Sequence, residues 1–296
     1  MKTILYATDF SENAKNALQY AYELSIKSGA ELIMFHVFDV PTFLNTPSRF
    51  STFIDVEKDT ERIAQHKLQN LFETYFGIDA RTQQVRFEAK QNISPVSGII
   101  EMVNESNADL VVMGSKGVSR LRELIMGSTT KGVIENAECP VLTIPVEANY
   151  KTPKHIFYST DFEAADIEAI NALSKIAELF AAKVTVAHVS TEREYSGKKL
   201  MENFKELLQK KVTYKPLKFE LLVSNNIYEQ LNNYVVTNDI SMIVLLERSN
   251  ENVFDKWFHR DVVERVESSI NIPTMSFNKK YLTHFIEKKE EQLLMK

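Results

Sequence analysis

The chain has 296 residues, which fits two domains of ordinary size. With 44% hydrophobic and 25% charged residues, its composition is that of a globular protein and excludes a disordered or fibrous chain. A net charge of −5, a single cysteine, and apolar runs far shorter than the roughly 20 residues that span a bilayer predict a cytoplasmic protein that binds neither nucleic acid nor membranes.

The first half of the chain alternates apolar runs with helical periodicity. An apolar run at 4–10 ends in Thr-Asp-Phe, and the helix after it has Ser11 placed to cap its start and Gly29 to end it. We predict further strands at 31–37, 84–88, 108–113 and 141–145, and helices at 57–75, 94–106 and 129–136. This alternation predicts a parallel, doubly wound sheet whose ligands bind beyond the carboxyl ends of the strands.

The second half repeats the first. Residues 156–162 match 4–10 at an offset of 152, as do His188 and His36, each of which is followed by valine. The closing strand recurs at an offset of 133, so about 19 residues are missing from the second copy. We assign the surplus to 39–60, predicted as a long loop; the hypothesis for its phenylalanines is a lid over a ligand or the cover of a partner surface.

These boundaries predict two tandem domains, at 1–148 and 149–279, and a charged tail at 280–296. Each domain is expected to carry a mostly parallel five-stranded sheet flanked by helices, in a Rossmann-like arrangement. The tail has scattered leucines among lysines and glutamates, which predicts an exposed amphipathic helix. A solvated helix and a partner-binding or membrane-surface helix both fit this pattern, and its mixed charges favour the former.

Glycines carry the chemical signal, since seven of the eight lie in the first half. Five small residues form the pattern G-x2-G-x9-G-S-T directly after a predicted strand: Gly114, Gly117, Gly127, Ser128 and Thr129. Glycine lets the backbone approach a phosphate, and amides at a helix start attract an anion. The alternative is that these glycines only end a strand and admit a helix.

The second copy lacks this pattern. Asp161 is kept, but the glycine positions fall in the run 246–251, and the helix start aligns with 259–261. Glu247, Glu251 and Asp261 add negative charge there, so we predict that this half does not bind phosphate groups in the same mode. Arg248 and Arg260 leave open a different anion, with a solvated surface as the alternative.

Together, the early aspartate, the His-Val strand end, the glycine pattern and the closing Cys-Pro-Val strand resemble two tandem universal stress protein domains of the adenine nucleotide alpha hydrolase-like fold. The resemblance covers nearly the whole chain. In ATP-binding members the corresponding residues bind the nucleotide, which implies ATP, with magnesium, as the ligand here. Carried over by position, Ala7, Thr8 and Asp9 would contact the nucleoside, and Val37 and Met113 the base. The phosphates would lie against Gly114, Gly117, Gly127, Ser128 and Thr129.

The resemblance favours a regulatory protein of the stress response, in which ATP in the first domain changes conformation or assembly. It also implies that the two domains pair through their last strands as a pseudo-dimer, with a homodimer as a further option. A slow ATPase or nucleotidyl transferase and a non-nucleotide scaffold are the alternatives. We assign no catalytic residue, since the sequence offers no obvious general base, and no metal-ligand spacing among the six histidines. His36 and His188 are interpreted as structural.

Overall fold

The structure is a computed structural model, and it describes residues 1–39, 53–80, 83–115, 127–190, 197–225, 227–247, 272–278, 280–283 and 285–286. In the first half the strands are β1 (Thr3–Ala7), β2 (Glu31–Phe38), β3 (Val85–Gln91), β4 (Leu110–Gly114) and β5 (Val141–Ile144). The helices between them are α1 (Glu12–Ser28), α2 (Phe53–Phe76), α3 (Pro95–Ser106) and α4 (Ser128–Asn136). Each strand and helix predicted in this half is therefore present.

The second half repeats this order. Its strands are β6 (His155–Ser159), β7 (Lys183–Ser190), β8 (Leu217–Val223), β9 (Met242–Leu246) and β10 (Thr274–Phe277). Its described helices are α5 (Ala164–Phe180), α6 (Gly197–Lys211) and α7 (Ile227–Thr237). The helices α1 and α5 both end in a left-handed residue: Gly29 at φ 66° and Ala181 at φ 48°. Gly29 tolerates this conformation because it has no Cβ atom, whereas the alanine is strained.

All ten strands belong to one sheet, in the order β3-β2-β1-β4-β5-β10-β9-β6-β7-β8. Each half is parallel throughout and has the same internal order, with its first strand at the centre. The halves meet where β5 and β10 pair antiparallel, with Thr143 opposite Thr274. The predicted fold of two tandem doubly wound units is confirmed, and the two five-stranded sheets are continuous rather than separate.

Helices cover both faces of the sheet, because side chains alternate along each strand. Ile4 and Tyr6 face the core under α1 and α2, whereas Leu5 and Ala7 face the core under α3 and α4. The first of these cores continues through both halves to α5 and α6. Burial on both faces explains why the central strands read as uninterrupted apolar runs. All the described helices are too short or too polar to cross a membrane.

Three local expectations were wrong, at least in part. Helix α2 begins at Phe53, so the predicted loop at 39–60 is helical at its end, and residues 40–52 lie outside the described part. Ser11 occupies the N-cap position of α1, but its side chain makes no capping hydrogen bond. The described start of the tail is helical and is solvated on one side only: Lys280 and Thr283 are exposed, whereas Leu282 is 4% exposed and packs into the core. Asn278 supports it by donating to two carbonyl oxygens at the end of α4.

Candidate functional site

A cleft of about 340 Å³ opens at the carboxyl ends of β1, β2 and β4, where the first half binds ligands if it follows the rule for doubly wound sheets. The start of α4 closes its other side. Its described lining comprises Ala7, Thr8, Asp9, Ala14, Phe35, His36, Val37, Pro95, Ile99, Met113, Gly114, Gly127, Ser128, Thr129 and Thr130.

Nine of the ten residues selected from the sequence lie in this one cleft, although they come from four separate segments. The segments are the ends of β1, β2 and β4 and the first turn of α4. The tenth, Gly117, lies outside the described residues, as does the rest of the segment 116–126. The sequence pattern therefore selects residues that share a surface.

The end of β1 forms a tight turn that fixes the carboxylate of Asp9. Phe10 adopts φ 62°, an uncommon conformation for a bulky residue, and its amide donates to Thr8 Oγ1 at 3.0 Å. The next amide, of Ser11, donates to Asp9 Oδ1 at 3.0 Å. Asp9 is thus held at the mouth of the cleft by its own chain, as in an Asx-turn.

His36, at the end of β2, supports this turn. Its Nδ1 lies 2.8 Å from the Thr8 carbonyl oxygen; because a carbonyl only accepts, Nδ1 carries the proton. The imidazole packs on the ring of Phe10 with centroids 4.5 Å apart. The ammonium group of Lys67 lies 4.0 Å from the centroid of the same Phe10 ring. Burial, and to a smaller extent the charge of Lys67, lowers the pKa of His36, so the imidazole is neutral near pH 7.

The start of α4 presents hydrogen-bond donors to the cleft. The amide of Gly127 donates to the Ser115 carbonyl at 3.0 Å, and Thr130 Oγ1 donates to the Gly114 carbonyl at 3.2 Å, which docks the helix against the end of β4. The first amides of a helix have no intrahelical acceptor and lie at the positive end of its dipole. The hydroxyls of Ser128 and Thr129 lie beside them. This side of the cleft is suited to an anion.

Sequence reasoning missed six residues that line the cleft. Ala14, Phe35, His36 and Thr130 adjoin selected positions in sequence or in the first turn of a helix, so proximity was a usable signal. Pro95 and Ile99 come from the start of α3, and nothing in the sequence links α3 to the glycine pattern. Their contribution depends on how α3 packs on the sheet.

The second half keeps the supporting turn and differs from the first at the end of its fourth strand. His188 Nδ1 donates to the Thr160 carbonyl at 2.7 Å, and its ring packs on Phe162 at 4.4 Å, as in the first half. Where the first half has Gly114 as the last residue of β4, the second has Glu247 directly after β9. Burial, together with the charge of Glu135, raises the pKa of Glu247. The remaining positions that were compared with the glycine pattern, 248–251 and 259–261, lie outside the described residues.

Comparison with known proteins identifies the family. The sequence model of the universal stress protein family matches residues 1–145. A universal stress protein of Methanocaldococcus jannaschii is 30% identical over 145 residues, which is 48% of this chain and 81% of the relative. One from Thermus aquaticus is 31% identical over 149 residues, 48% of this chain and 98% of the relative. The chain belongs to the universal stress protein family.

Solved structures extend the likeness to both halves of this universal stress protein. A crystal structure of a universal stress protein from Archaeoglobus fulgidus covers 94% of this chain and 98% of its own length, with a TM-score of 0.64 and 18% identity. A putative universal stress protein from Pseudomonas aeruginosa covers 97% of each chain, with a TM-score of 0.59 and 14% identity. At these identities the comparison shows the fold, and the fold it shows spans the tandem arrangement.

Proposed function

We propose that this universal stress protein binds one adenine nucleotide, ATP, in the cleft of its first half, and acts as a regulatory protein of the stress response. Binding would change its conformation or its assembly rather than catalyse a reaction. The observation that carries the proposal is the pairing, across one cleft, of a fixed carboxylate at the end of β1 with the donor-rich start of α4. One side suits the hydroxyls of a ribose and the other suits phosphates.

The cleft divides into a polar side and an apolar side. Val37, Met113, Phe35 and Ile99 supply apolar surface against which a flat base can pack. A volume of about 340 Å³ lies at the lower end of the range for small-molecule sites. The base would lie among these side chains, the ribose near Thr8 and Asp9, and the phosphates at the turn that leads into α4.

The amides and hydroxyls of the cleft suit phosphate groups better than they suit a metal ion held by protein side chains alone. The described residues contain no group of three or more His, Cys, Asp or Glu side chains arranged to hold a metal ion. Magnesium binds through few protein ligands and through the oxygens of a nucleotide's phosphates. We therefore propose that magnesium would enter with ATP, and that Ser128 and Thr129 would be the described hydroxyl side chains available to it.

The chemistry of the cleft favours binding over hydrolysis. Among the described lining residues the one carboxylate is Asp9, and the amide of Ser11 holds its Oδ1. The neutral His36 donates to a backbone carbonyl through Nδ1. We assign the role of general base to neither Asp9 nor His36. A slow ATPase is therefore the alternative hypothesis.

For the chain as a whole we propose two domains, at 1–148 and 149–279, followed by the tail at 280–296. The antiparallel pair of β5 and β10 would then be the contact of an intramolecular pseudo-dimer. Thr143 Oγ1 donates to the carbonyl of Thr274 across this pair at 3.1 Å. A further homodimer, and residence in the cytoplasm, belong to the same proposal.

A matched pair of variants tests the site. Asp9→Asn removes the fixed carboxylate, and Asp161→Asn makes the equivalent change in the second half. We expect the first to weaken ATP binding roughly tenfold to hundredfold, which corresponds to a lost charge-assisted hydrogen bond, and the second to leave it unchanged. Titration calorimetry measures both affinities. Equal affinity of Asp9→Asn and the wild type would remove Asp9 from the site.

A further inference from the structure

The turn after the first strand has the same geometry in both halves. Phe10 and Phe162 adopt φ 62° and φ 64°, and each amide donates at 3.0 Å to the hydroxyl of the threonine two residues before it. His36 and His188 each donate from Nδ1 to that threonine's carbonyl oxygen. The two halves therefore offer the same backbone frame, on which individual side-chain differences can be compared.

One difference lies at the third position of the helix that follows this turn. The first half has Ala14 there, in α1, and the second half has Asp166, in α5. Ala14 lines the cleft. Asp166 is completely buried, with 0% of its surface exposed. A buried carboxylate is costly unless donors surround it, so its partners decide what it does.

Four donors surround the carboxylate of Asp166. Tyr158 donates its hydroxyl to Oδ1 at 2.8 Å. The other three donate to Oδ2: Thr160 Oγ1 at 2.9 Å, the Asp161 amide at 3.1 Å and the Glu163 amide at 3.0 Å. The bond from the Glu163 amide belongs to a capping box at the start of α5, and the other three donors complete the coordination of the carboxylate from within the chain.

The equivalent groups of the first half are arranged differently. The hydroxyl of Tyr6 donates to the carbonyl oxygen of Ala14 at 2.8 Å, since no carboxylate is present there. The amide of Ser11, which corresponds to that of Glu163, donates to Asp9 Oδ1. The alanine thus leaves this amide to position Asp9 at the mouth of the cleft.

The burial of the two strand ends follows the same difference. His36 and Val37 are partly exposed where they line the cleft. His188 and Val189 are each 8% exposed, and Thr160 is 1% exposed. At these three positions the second half is therefore buried more deeply than the first, although Asp161, like Asp9, is exposed.

We propose that Asp166 is an internal anion that occupies the donor set of the second half in place of a ligand, and that Ala14 keeps the corresponding position of the first half open. The part of this inference that concerns Ala14 rests on the proposed function, namely that the first half binds ATP. It adds a block that is independent of the missing glycines, because it acts on the β6 side of the site and not on the phosphate side. It also names Ala14 as a residue that determines which half binds.

The first test transfers the carboxylate to the first half. Ala14→Asp would compete with Asp9 for the amide of Ser11 and place a negative charge in the cleft wall. We expect ATP to bind about tenfold or more weakly, with the circular dichroism spectrum unchanged, because Tyr6 and Thr8 supply the same hydroxyls that hold Asp166. Ala14→Asn, of the same size without the charge, should weaken binding less. Wild-type affinity in Ala14→Asp would overturn the role of Ala14.

The second test needs no nucleotide. Asp166→Ala empties the donor set, which should lower the melting temperature, and formate at about 0.1 M should restore part of the loss by filling the space. Sodium chloride at equal ionic strength is the control, and wild-type protein should show no formate effect beyond that of chloride. A melting temperature of Asp166→Ala that responds to formate and chloride alike would overturn the proposal that these donors form an anion site.

The two tests separate this inference from the proposed function. If wild-type protein binds no ATP, the proposed function fails, and the formate result still decides whether Asp166 is an internal anion. If wild-type protein binds ATP and Ala14→Asp binds it equally well, the proposed function stands and the role of Ala14 fails.

Discussion

The Nδ1 atom of His36 lies 2.8 Å from the carbonyl oxygen of Thr8, and this hydrogen bond ties the carboxyl end of β2 to that of β1. The two strands are already paired, with Ala7 opposite Phe35, so the bond continues their connection beyond the last ladder pair. It positions the turn that carries Asp9. The imidazole therefore supports the site through the backbone without needing to touch a ligand.

The lowered pKa of His36 predicts a pH effect on stability. The folded state prefers the neutral imidazole, so its contribution is present above the ordinary value of about 6.5 and is lost as pH falls through that value. Urea titrations of wild type and His36→Asn should show a steeper fall in the unfolding free energy of the wild type between about pH 7.5 and 5.5. Asparagine keeps a donor for Thr8 but does not titrate. Parallel pH profiles would contradict this account.

The raised pKa of Asp166 predicts a pH effect on stability that is opposite in sign to that of His36. Burial raises its pKa to about 6, although the hydrogen bonds from Tyr158 and Thr160 oppose this. The folded state therefore binds the proton more tightly than the unfolded state, and stability is lost as pH rises through about 4 to 6. A shift of about two units corresponds to about 3 kcal/mol.

The variant Asp166→Asn isolates this effect, because the amide does not titrate and has nearly the same shape. We expect it to be less stable than wild type at every pH, since its NH₂ group faces donors, but to lack the loss between about pH 4 and 6. Urea titration at several pH values measures the difference. An equal loss in both proteins would show that another group titrates.

Packing between α3 and α4 predicts the effect of a methyl group at Gly132. A Cβ atom there would lie 2.8 Å from Val96 Cγ2 and 3.1 Å from Val96 Cγ1. Gly132→Ala should therefore lower the unfolding free energy by about 1 to 3 kcal/mol, despite the higher helix propensity of alanine. Adding Val96→Ala should recover part of the loss. If Gly132→Ala alone were as stable as the wild type, α3 and α4 would be able to move apart at no cost.

The hydrogen bonds of Asn278 attach the start of the tail to the end of α4, and a substitution there tests how much they stabilise the fold. Its Nδ2 donates to the carbonyl oxygens of Ile134 and Ala137 at 2.5 and 2.8 Å, and its Oδ1 accepts from the amide of Tyr281 at 2.8 Å. Asn278→Ala leaves these buried groups without their partner and should cost about 2 kcal/mol in urea unfolding. Lys280→Ala, which removes an exposed contact to Asn136, should change stability by about 0.5 kcal/mol or less. Similar losses in both variants would contradict this.

Most of the fold could be predicted because each half repeats the same short-range signals. The apolar runs, Gly29 and the βα alternation indicate strands, a helix end and a parallel sheet without any tertiary information. The burial of Leu282 could not be predicted, since it depends on packing of the tail into the core that runs through both halves, which a charged, weakly periodic sequence does not encode.

That the selected residues share one cleft was predictable to a similar extent, whereas their binding role stays a prediction. Asp9 and the glycine pattern stood out because they follow strands, and the carboxyl ends of parallel strands meet at one edge of the sheet. The difference between Ala14 and Asp166 was visible in the repeat, but its meaning depends on which donors converge on the carboxylate. A sequence gives the residue pair and leaves these distances undetermined.

The most direct test of the central claim is calorimetric titration of the whole chain with ATP and magnesium, after bound nucleotide has been stripped from the protein. The account predicts saturable binding with one ATP per chain, because the first half has the open cleft and the second half carries Asp166 and Glu247 in its place. No binding, or two equivalent sites per chain, would contradict it.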